Sequence, residues 1–338
     1  MEISNDYTQE RVHTARFFHL VDLYNAGEVR PLRAVMSGLE VPLEADQKVE
    51  GRFEWHKADF AFVAKSTEQT RIVVLEFKVD SLEGGFFKDD SQDTQTAKLT
   101  AAFQAERADV LDLIYVTLGN TEFAGPPRDE RFKHVGLRQF ANAVGAAAGI
   151  CEVLRPWAAG LHQELNRRRM APELAARRHL RPADETVAAA GYRGPGVQMG
   201  VYGALIEEWK RQGGESAFGP LRAYARGRRP DAILNFWKFL NQSAPWYLEI
   251  NDNGTLNLKI EVQSMNDERW AALVFILQAV HDESRGPLVS KPERWEGRKT
   301  MTVCPWMIGL WEDSNRPALV VQRLLSLLNI YIPRLSQC

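Results

Sequence analysis

Residues 58–64 read ADFAFVA and residues 71–80 read RIVVLEFKVD, and these two runs decide the fold of the chain. Both are rich in β-branched and aromatic residues and are separated by polar turn formers, which predicts two paired strands. Successive side chains of a strand point to opposite faces, so Glu76 and Lys78 share one face. The second run is apolar on both faces, which predicts a strand that is covered on both sides.

The charged residues of these runs predict a site. Buried Glu and Lys are rare unless they are paired or bound to a metal. If the strand over 58–64 lies beside the next one, Asp59 comes within reach of Glu76, and two carboxylates with a lysine suit a hard divalent cation. The alternative is that Glu76 and Lys78 form a surface ion pair on an edge strand.

Asp59, a spacer and then Glu76-Phe77-Lys78 resemble the D-x(n)-E-x-K signature of the PD-(D/E)XK nuclease superfamily. The resemblance covers about residues 8 to 150 and extends to a bacterial branch of that superfamily. The further matching segments are Glu10-Arg11-Val12-His13-Thr14, Asp59-Phe60-Ala61-Phe62, Glu76-Phe77-Lys78-Val79, and Gln95 with Leu99 and Phe103. Lys57-Ala58 stands where the pattern has a proline, and Gln95 follows a longer insertion than usual.

The resemblance implies a restriction-endonuclease-like α-β-β-β-α-β core with a mixed central sheet. It implies Mg²⁺, with Mn²⁺ as a substitute, held by Asp59, Glu76 and the carbonyl of Phe77. Lys78 would orient or deprotonate the attacking water, Gln95 would position that water or a phosphate oxygen, and Glu10 would approach the same metal from a helix.

The expected activity is that of a metal-dependent endonuclease that hydrolyses phosphodiester bonds in DNA, in bacterial defence, restriction or repair. Two alternatives stay open. The fold can serve as a catalytically silent module that binds nucleic acid or protein, or the substrate can be RNA.

Composition narrows the class of protein. The 338 residues carry a net charge of -2, so binding of a polyanion requires local basic patches. The three cysteines (Cys151, Cys304 and Cys338) are far apart, which argues against a disulfide framework or a zinc site. The start of the chain does not resemble a signal peptide, and no apolar run is long enough for a membrane span. We therefore expect a cytoplasmic protein.

The remaining pattern predicts two domains, a nuclease-like domain over 1–182 and an α+β domain over 198–338. In the first we expect a helix from about residue 5 to 26, strands over 49–56 and 110–118, helices over 94–108 and 137–148, and irregular structure over 28–48. Glu10 and His13 are predicted to lie on the inward face of the first helix. The alternative to a role of Glu10 at the metal is a favourable interaction with the helix dipole, and His13 is expected to be a hydrogen-bonded core residue rather than a ligand.

The second domain is expected to be mostly helical, with helices over 201–212, 230–241, 266–281 and 317–328. Residues 246–250 and 255–262 flank an Asn-Gly turn and predict a β-hairpin. The role of this half, target recognition or oligomerisation, is open. A two-fold homodimer would let a nuclease cut both strands.

A basic helical segment supplies the expected nucleic-acid contacts. Residues 155–181 hold seven arginines and two glutamates, a net charge of +5, and a second cluster comprises Arg222, Arg226, Arg228 and Arg229. Arginines neutralise phosphates, although a solvated helix face has the same composition. The residues expected to bind nucleic acid are Arg167, Arg168, Arg169, Arg177 and Arg178.

Overall fold

The computed structural model describes residues 9–44, 46–84, 91–178, 184–192, 196–225, 232–235, 246–250, 255–261, 266–284, 300–307 and 316–335. The chain divides into two compact units, Met1–Asn166 and Arg167–Cys338. The division between the units falls after Asn166, whereas the first domain was predicted to extend to residue 182. None of the described helices has the length and apolar character needed to cross a bilayer.

The first unit is an α/β fold around a five-stranded mixed sheet. Its helices are α1 (Glu10–Asn25), α2 (Val29–Gly38), α3 (Gln95–Gln104), α4 (Leu137–Ala148) and the start of α5 (Arg155–Arg178). Its strands are β1 (Lys48–Arg52), β2 (Phe60–Lys65), β3 (Thr70–Val79), β4 (Val110–Leu118) and β5 (Lys133–Val135), in that spatial order. Pairing is antiparallel from β1 to β3 and parallel from β3 to β5, which confirms the predicted mixed sheet.

Strand β3 lies at the centre of this sheet and is covered on both faces, as its apolar sequence predicts. On one face Val73, Leu75 and Phe77 join a core built with α1, α2 and α4. On the other face Ile72 and Val74 pack in a second core that includes residues of α3. A polar side chain at the end of β3 therefore lies next to a dry interior.

Two expectations for the first unit are wrong. Residues 28–48 are not irregular throughout, because Val29–Gly38 form the helix α2, which buries Leu32 and Met36. This helix packs closely on α4: a Cβ added to Gly38 would lie only 2.6 Å from Ala143 Cβ. Close packing on another helix, which local pattern does not reveal, stabilises α2. The first strand ends at Arg52 rather than His56 because the chain enters a short 3₁₀ turn with left-handed backbone angles.

The second unit contains a five-stranded antiparallel sheet. Its helices beyond α5 are α6 (Asp184–Ala189), α7 (Gly196–Arg211), α8 (Gly214–Phe218), α9 (Asp267–Ser284) and α10 (Arg316–Leu335). Its strands are β6 (Arg222–Ala225), β7 (Ala232–Asn235), β8 (Trp246–Ile250), β9 (Thr255–Glu261) and β10 (Thr300–Met307), in the spatial order β10-β9-β8-β7-β6.

The predicted hairpin is confirmed by the antiparallel pairing of β8 with β9. The helix predicted over 230–241 is wrong where the structure describes it, since residues 232–235 form β7; the rest of that range lies outside the described residues. A short apolar run fits either a strand or a helix, and pairing with β6 and β8 decides for a strand.

Candidate active site

The candidate site forms where two neighbouring strands part. Pairing of β2 with β3 ends at Phe60 opposite Leu75, whereas β3 continues beside β4 as far as Val79 opposite Leu118. The last residues of β3 therefore lack a β2 partner on one edge. Backbone N–H groups left without a ladder partner in a protein interior need other acceptors.

Carboxylates take the place of the missing strand. The backbone N–H of Phe77 donates to Asp59 Oδ2 at 2.7 Å, and the backbone N–H of Val79 donates to Glu10 Oε1 at 3.1 Å. Asp59 immediately precedes β2, and Glu10 is the first residue of α1. Because these two backbone N–H groups need acceptors, the carboxylates of Asp59 and Glu10, from distant parts of the sequence, both lie at the end of β3.

Glu76 is the centre of the cluster, and its side chain is fully buried. Its Oε1 accepts hydrogen bonds from Lys78 Nζ at 2.5 Å and from Gln95 Nε2 at 2.5 Å. Its Oε2 accepts the backbone N–H of Asp59 at 3.3 Å. The prediction that Glu76 and Lys78 share a face is confirmed. The alternative of a surface ion pair on an edge strand is wrong, since Lys78 is only 7% exposed.

Lys78 joins the carboxylate to a second oxygen. Its Nζ also donates to the carbonyl of Phe77 at 3.1 Å. One ammonium group therefore contacts both Glu76 and the carbonyl that the resemblance assigns to a metal.

Burial is the largest influence on the pKa values of the acids in the cluster. Burial raises the pKa of Glu76 to about 7, although Lys78 opposes the shift. Burial likewise raises the pKa of Asp59. Burial alone would lower the pKa of Lys78, but the charges of Glu76 and Asp59 outweigh it and raise that pKa. A divalent cation would offset the cost of keeping both carboxylates ionised here.

Gln95 reaches the site from the first turn of α3. Thr94 caps this helix, its side chain accepting the backbone N–H of Ala97. The backbone N–H of Gln95 donates to the carbonyl of Gly84 at 2.8 Å, and Gln95 Oε1 accepts the Gly84 N–H at 3.4 Å. Gln95 thus makes three hydrogen bonds, two with Gly84 and one from its side-chain amide to Glu76.

The two residues singled out on α1 have different surroundings. Glu10 Oε1 accepts a further hydrogen bond from Ser81 Oγ at 2.7 Å, so Glu10 links the helix to β3 and to the segment after it. His13 is fully buried, stacks on Phe77 with ring centroids 5.5 Å apart, and accepts the indole N–H of Trp157 at 3.0 Å. The prediction of a hydrogen-bonded core histidine is confirmed.

Sequence reasoning missed two polar residues beside the cluster. Tyr115 of β4 is the register partner of Glu76 and is 3% exposed, and burial together with the carboxylates of Glu83 and Glu76 raises the pKa of its phenol. Glu83 is itself buried. The register of β4 against β3 could have indicated Tyr115, whereas no local pattern points to Glu83.

The arginines expected to bind nucleic acid lie on α5, in the part of that helix that belongs to the second unit. In the sequence they are far from the residues that form the cluster. Arg167 and Arg168 are half-buried and Arg169 is exposed. Arg177 and Arg178 are helical, but their side chains are outside the described part, as are Arg226, Arg228 and Arg229.

The oxygen set of the cluster fits a hard cation. Within the described ranges no group of three or more His, Cys, Asp or Glu side chains is arranged to hold a metal ion by itself. Magnesium keeps several waters and needs only one or two protein carboxylates, and Asp59, Glu76 and the Phe77 carbonyl are the oxygen groups of this cluster that could hold it.

Comparison of the chain with family models, with curated proteins and with solved structures gives no match. The candidate function therefore rests on the geometry of the cluster at the end of β3.

Proposed function

We propose that this protein is a Mg²⁺-dependent nuclease of the PD-(D/E)XK type that hydrolyses phosphodiester bonds in DNA. One observation carries the proposal: Asp59 Oδ2 accepts the backbone N–H of Phe77 at 2.7 Å, directly beside Glu76, whose Oε1 accepts Lys78 Nζ at 2.5 Å. Two acids and an amine thus meet at a single strand end. The order of α1, β1 to β3, α3 and β4 agrees with a restriction-endonuclease-like core, with α2 as an addition.

Asp59, Glu76 and the Phe77 carbonyl would hold the metal, and Mn²⁺ would substitute for Mg²⁺. When bound, the ion supplies positive charge that stabilises the charge developing on the scissile phosphate and lowers the pKa of a water. The Gln95 amide fixes the orientation of the Glu76 carboxylate. Glu10 holds the end of β3 through Val79 and so maintains the position of the strand.

Lys78 is better suited to orient the attacking water than to deprotonate it. The neighbouring carboxylates raise its pKa, so its ammonium group keeps its protons at neutral pH. A protonated amine donates hydrogen bonds and adds positive charge beside the phosphate. Of the two roles that the resemblance implies, this geometry favours the first.

The test is cleavage of linear, supercoiled and single-stranded DNA with Mg²⁺ or Mn²⁺, with EDTA as the control. We expect metal-dependent cleavage that falls by about 10³-fold in Glu76→Gln and in Lys78→Met. Circular dichroism would show that both variants keep the fold. Absence of cleavage on every DNA, or cleavage unchanged by both substitutions, would refute the proposal.

A catalytically silent binding module is the second candidate. It is favoured by the internal hydrogen bonds of Glu76, since Lys78, Gln95 and the Asp59 N–H already satisfy the buried carboxylate. This candidate predicts DNA binding that survives EDTA and weakens when the arginines at 167–169 are replaced by alanine. The same assays with RNA decide whether RNA, the third alternative, is the polymer.

A further inference from the structure

Glu83 is a buried carboxylate that lies outside the cluster at the end of β3. It is 2% exposed and belongs to the segment 80–84 that follows the strand. Burying a carboxylate is costly unless several donors compensate it. Its conformation is therefore set by the groups that it contacts.

Three donors from two parts of the chain meet on Glu83. Its Oε2 accepts Thr96 Oγ1 at 2.7 Å and the Thr96 backbone N–H at 3.3 Å. Its Oε1 accepts the backbone N–H of Arg128 at 2.6 Å. Glu83 thus ties the first turn of α3 to the segment between β4 and β5. A negative charge at a helix N-terminus is also favourable.

The residues next to these contacts carry the catalytic candidate. Thr96 directly follows Gln95, and Glu83 directly precedes Gly84, which exchanges two hydrogen bonds with Gln95. Gln95 therefore lies between Thr96, which contacts the Glu83 carboxylate, and Gly84, which directly follows Glu83 in the chain. Its amide lies 2.5 Å from Glu76 Oε1, so a small rotation of the first turn of α3 would break that bond.

The segment between β4 and β5 also contacts Thr96, the residue that follows Gln95. The backbone N–H of Asp129 donates to Thr96 Oγ1 at 3.3 Å, and Asp129 forms an ion pair with Arg131 at 2.7 Å. Thr96 Oγ1 thus donates to Glu83 and accepts a hydrogen bond from Asp129. The arrangement restricts Thr96, and through it the start of α3, to one position.

We propose that Glu83 is a positioning residue that keeps the Gln95 amide on the Glu76 carboxylate. The inference rests on the proposed nuclease function, in which the orientation of Glu76 determines how it meets the metal. Glu83 acts through Thr96 and Gly84 rather than by touching the substrate. A purely structural acid would stabilise the fold without affecting the contact between Gln95 and Glu76.

The first experiment is a crystal structure of the Glu83→Gln variant. We expect the separation of Gln95 Nε2 from Glu76 Oε1 to exceed the hydrogen-bond limit of about 3.5 Å. The matched control is Glu122→Gln, since Glu122 accepts the backbone N–H of Leu137 at 2.8 Å at the start of α4. The control should keep the Gln95 contact. Retention of that contact in Glu83→Gln would overturn the proposal.

The second experiment is a double-mutant cycle on cleavage. Glu83→Gln and Gln95→Ala should each slow the reaction by about tenfold, as expected for loss of a hydrogen bond to a charged group. The double variant should be no slower than Gln95→Ala, because Glu83 acts through Gln95. Multiplicative effects would overturn the proposal.

Two further variants cover the case in which Glu83→Gln does not fold. Thr96→Val removes the 2.7 Å bond from the other side, and Thr96→Ser retains it. Thr96→Val should behave as Glu83→Gln and Thr96→Ser as the wild type; equal rates for both would overturn the inference. If the wild-type protein cleaves no nucleic acid, the proposed function fails, whereas the crystal structures still decide whether Glu83 positions Gln95.

Discussion

The two units each bury an ion pair between a glutamate and a lysine, yet only one pair belongs to a candidate active site. In the first unit Lys78 Nζ lies 2.5 Å from Glu76 Oε1, and the two side chains are 7% and 0% exposed. In the second unit Lys259 Nζ lies 2.6 Å from Glu249 Oε1, and the side chains are 12% and 1% exposed. By distance and burial the two pairs are nearly equivalent.

Their neighbours differ. Glu249 lies within a sheet that continues on both sides, and its register partners are Asn235 on β7 and Asn257 on β9. Glu76 lies where β2 has left β3, and the backbone donors freed there attract the carboxylates of Asp59 and Glu10. A buried ion pair by itself indicates only a role in stabilising the fold. Additional carboxylates beside such a pair, as at Glu76 and Lys78, indicate a candidate catalytic site.

The largest difference between the pairs should be seen in metal binding. Asp59→Asn removes a carboxylate charge while its amide oxygen can still accept the Phe77 N–H. We expect Mn²⁺ affinity, measured by isothermal titration calorimetry, to fall by at least about a hundredfold. Glu249→Gln is the matched control and should bind Mn²⁺ as the wild type does. Equal losses in the two variants would remove the distinction between the pairs.

Breaking the second pair should reduce stability and leave the chemistry intact. Lys259→Met leaves Glu249 buried without its cation, which we expect to cost about 3 kcal/mol of the free energy of unfolding in urea titrations. Cleavage per folded molecule should stay unchanged. Replacing both residues, as in Glu249→Leu with Lys259→Met, should restore most of the loss. A loss of cleavage in the folded single variant would mean that the second pair also serves the reaction.

The smallest effect is a pH dependence specific to the first pair. Burial raises the pKa of Glu76 from 4.5 to about 7, so the native protein between these values holds a proton that the unfolded chain has released. The stabilisation by this proton is complete below pH 4.5 and is lost as the pH rises through about 7.

In EDTA the melting temperature of the wild type should therefore fall more steeply between pH 5 and 8 than that of Glu76→Gln, by a few degrees (on the order of 1 kcal/mol). Glu249→Gln should keep the wild-type slope. Identical slopes in the wild type and Glu76→Gln would show that Glu76 does not carry the shifted pKa.

Part of the site could be predicted because it depends on local geometry. Alternation along β3 places Glu76 and Lys78 on one face whatever the rest of the chain does. Other residues could not be predicted from spacing. The donors of Glu83 come from positions 96 and 128, and the partner of Glu249 lies ten residues away across a hairpin.

The amino-acid sequence by itself determined the strands predicted over 58–64, 71–80 and 110–118, the helix at 137–148 and the hairpin of β8 and β9, and the first two strands were found at 60–65 and 70–79. Alternation, apolar runs and turn residues act over a few residues, which is why these elements could be predicted. Only the tertiary structure decided where β2 leaves β3, that residues 29–38 are helical and that residues 232–235 are a strand. These features depend on long-range pairing and packing, and so does the meeting of Asp59, Glu76 and Glu10.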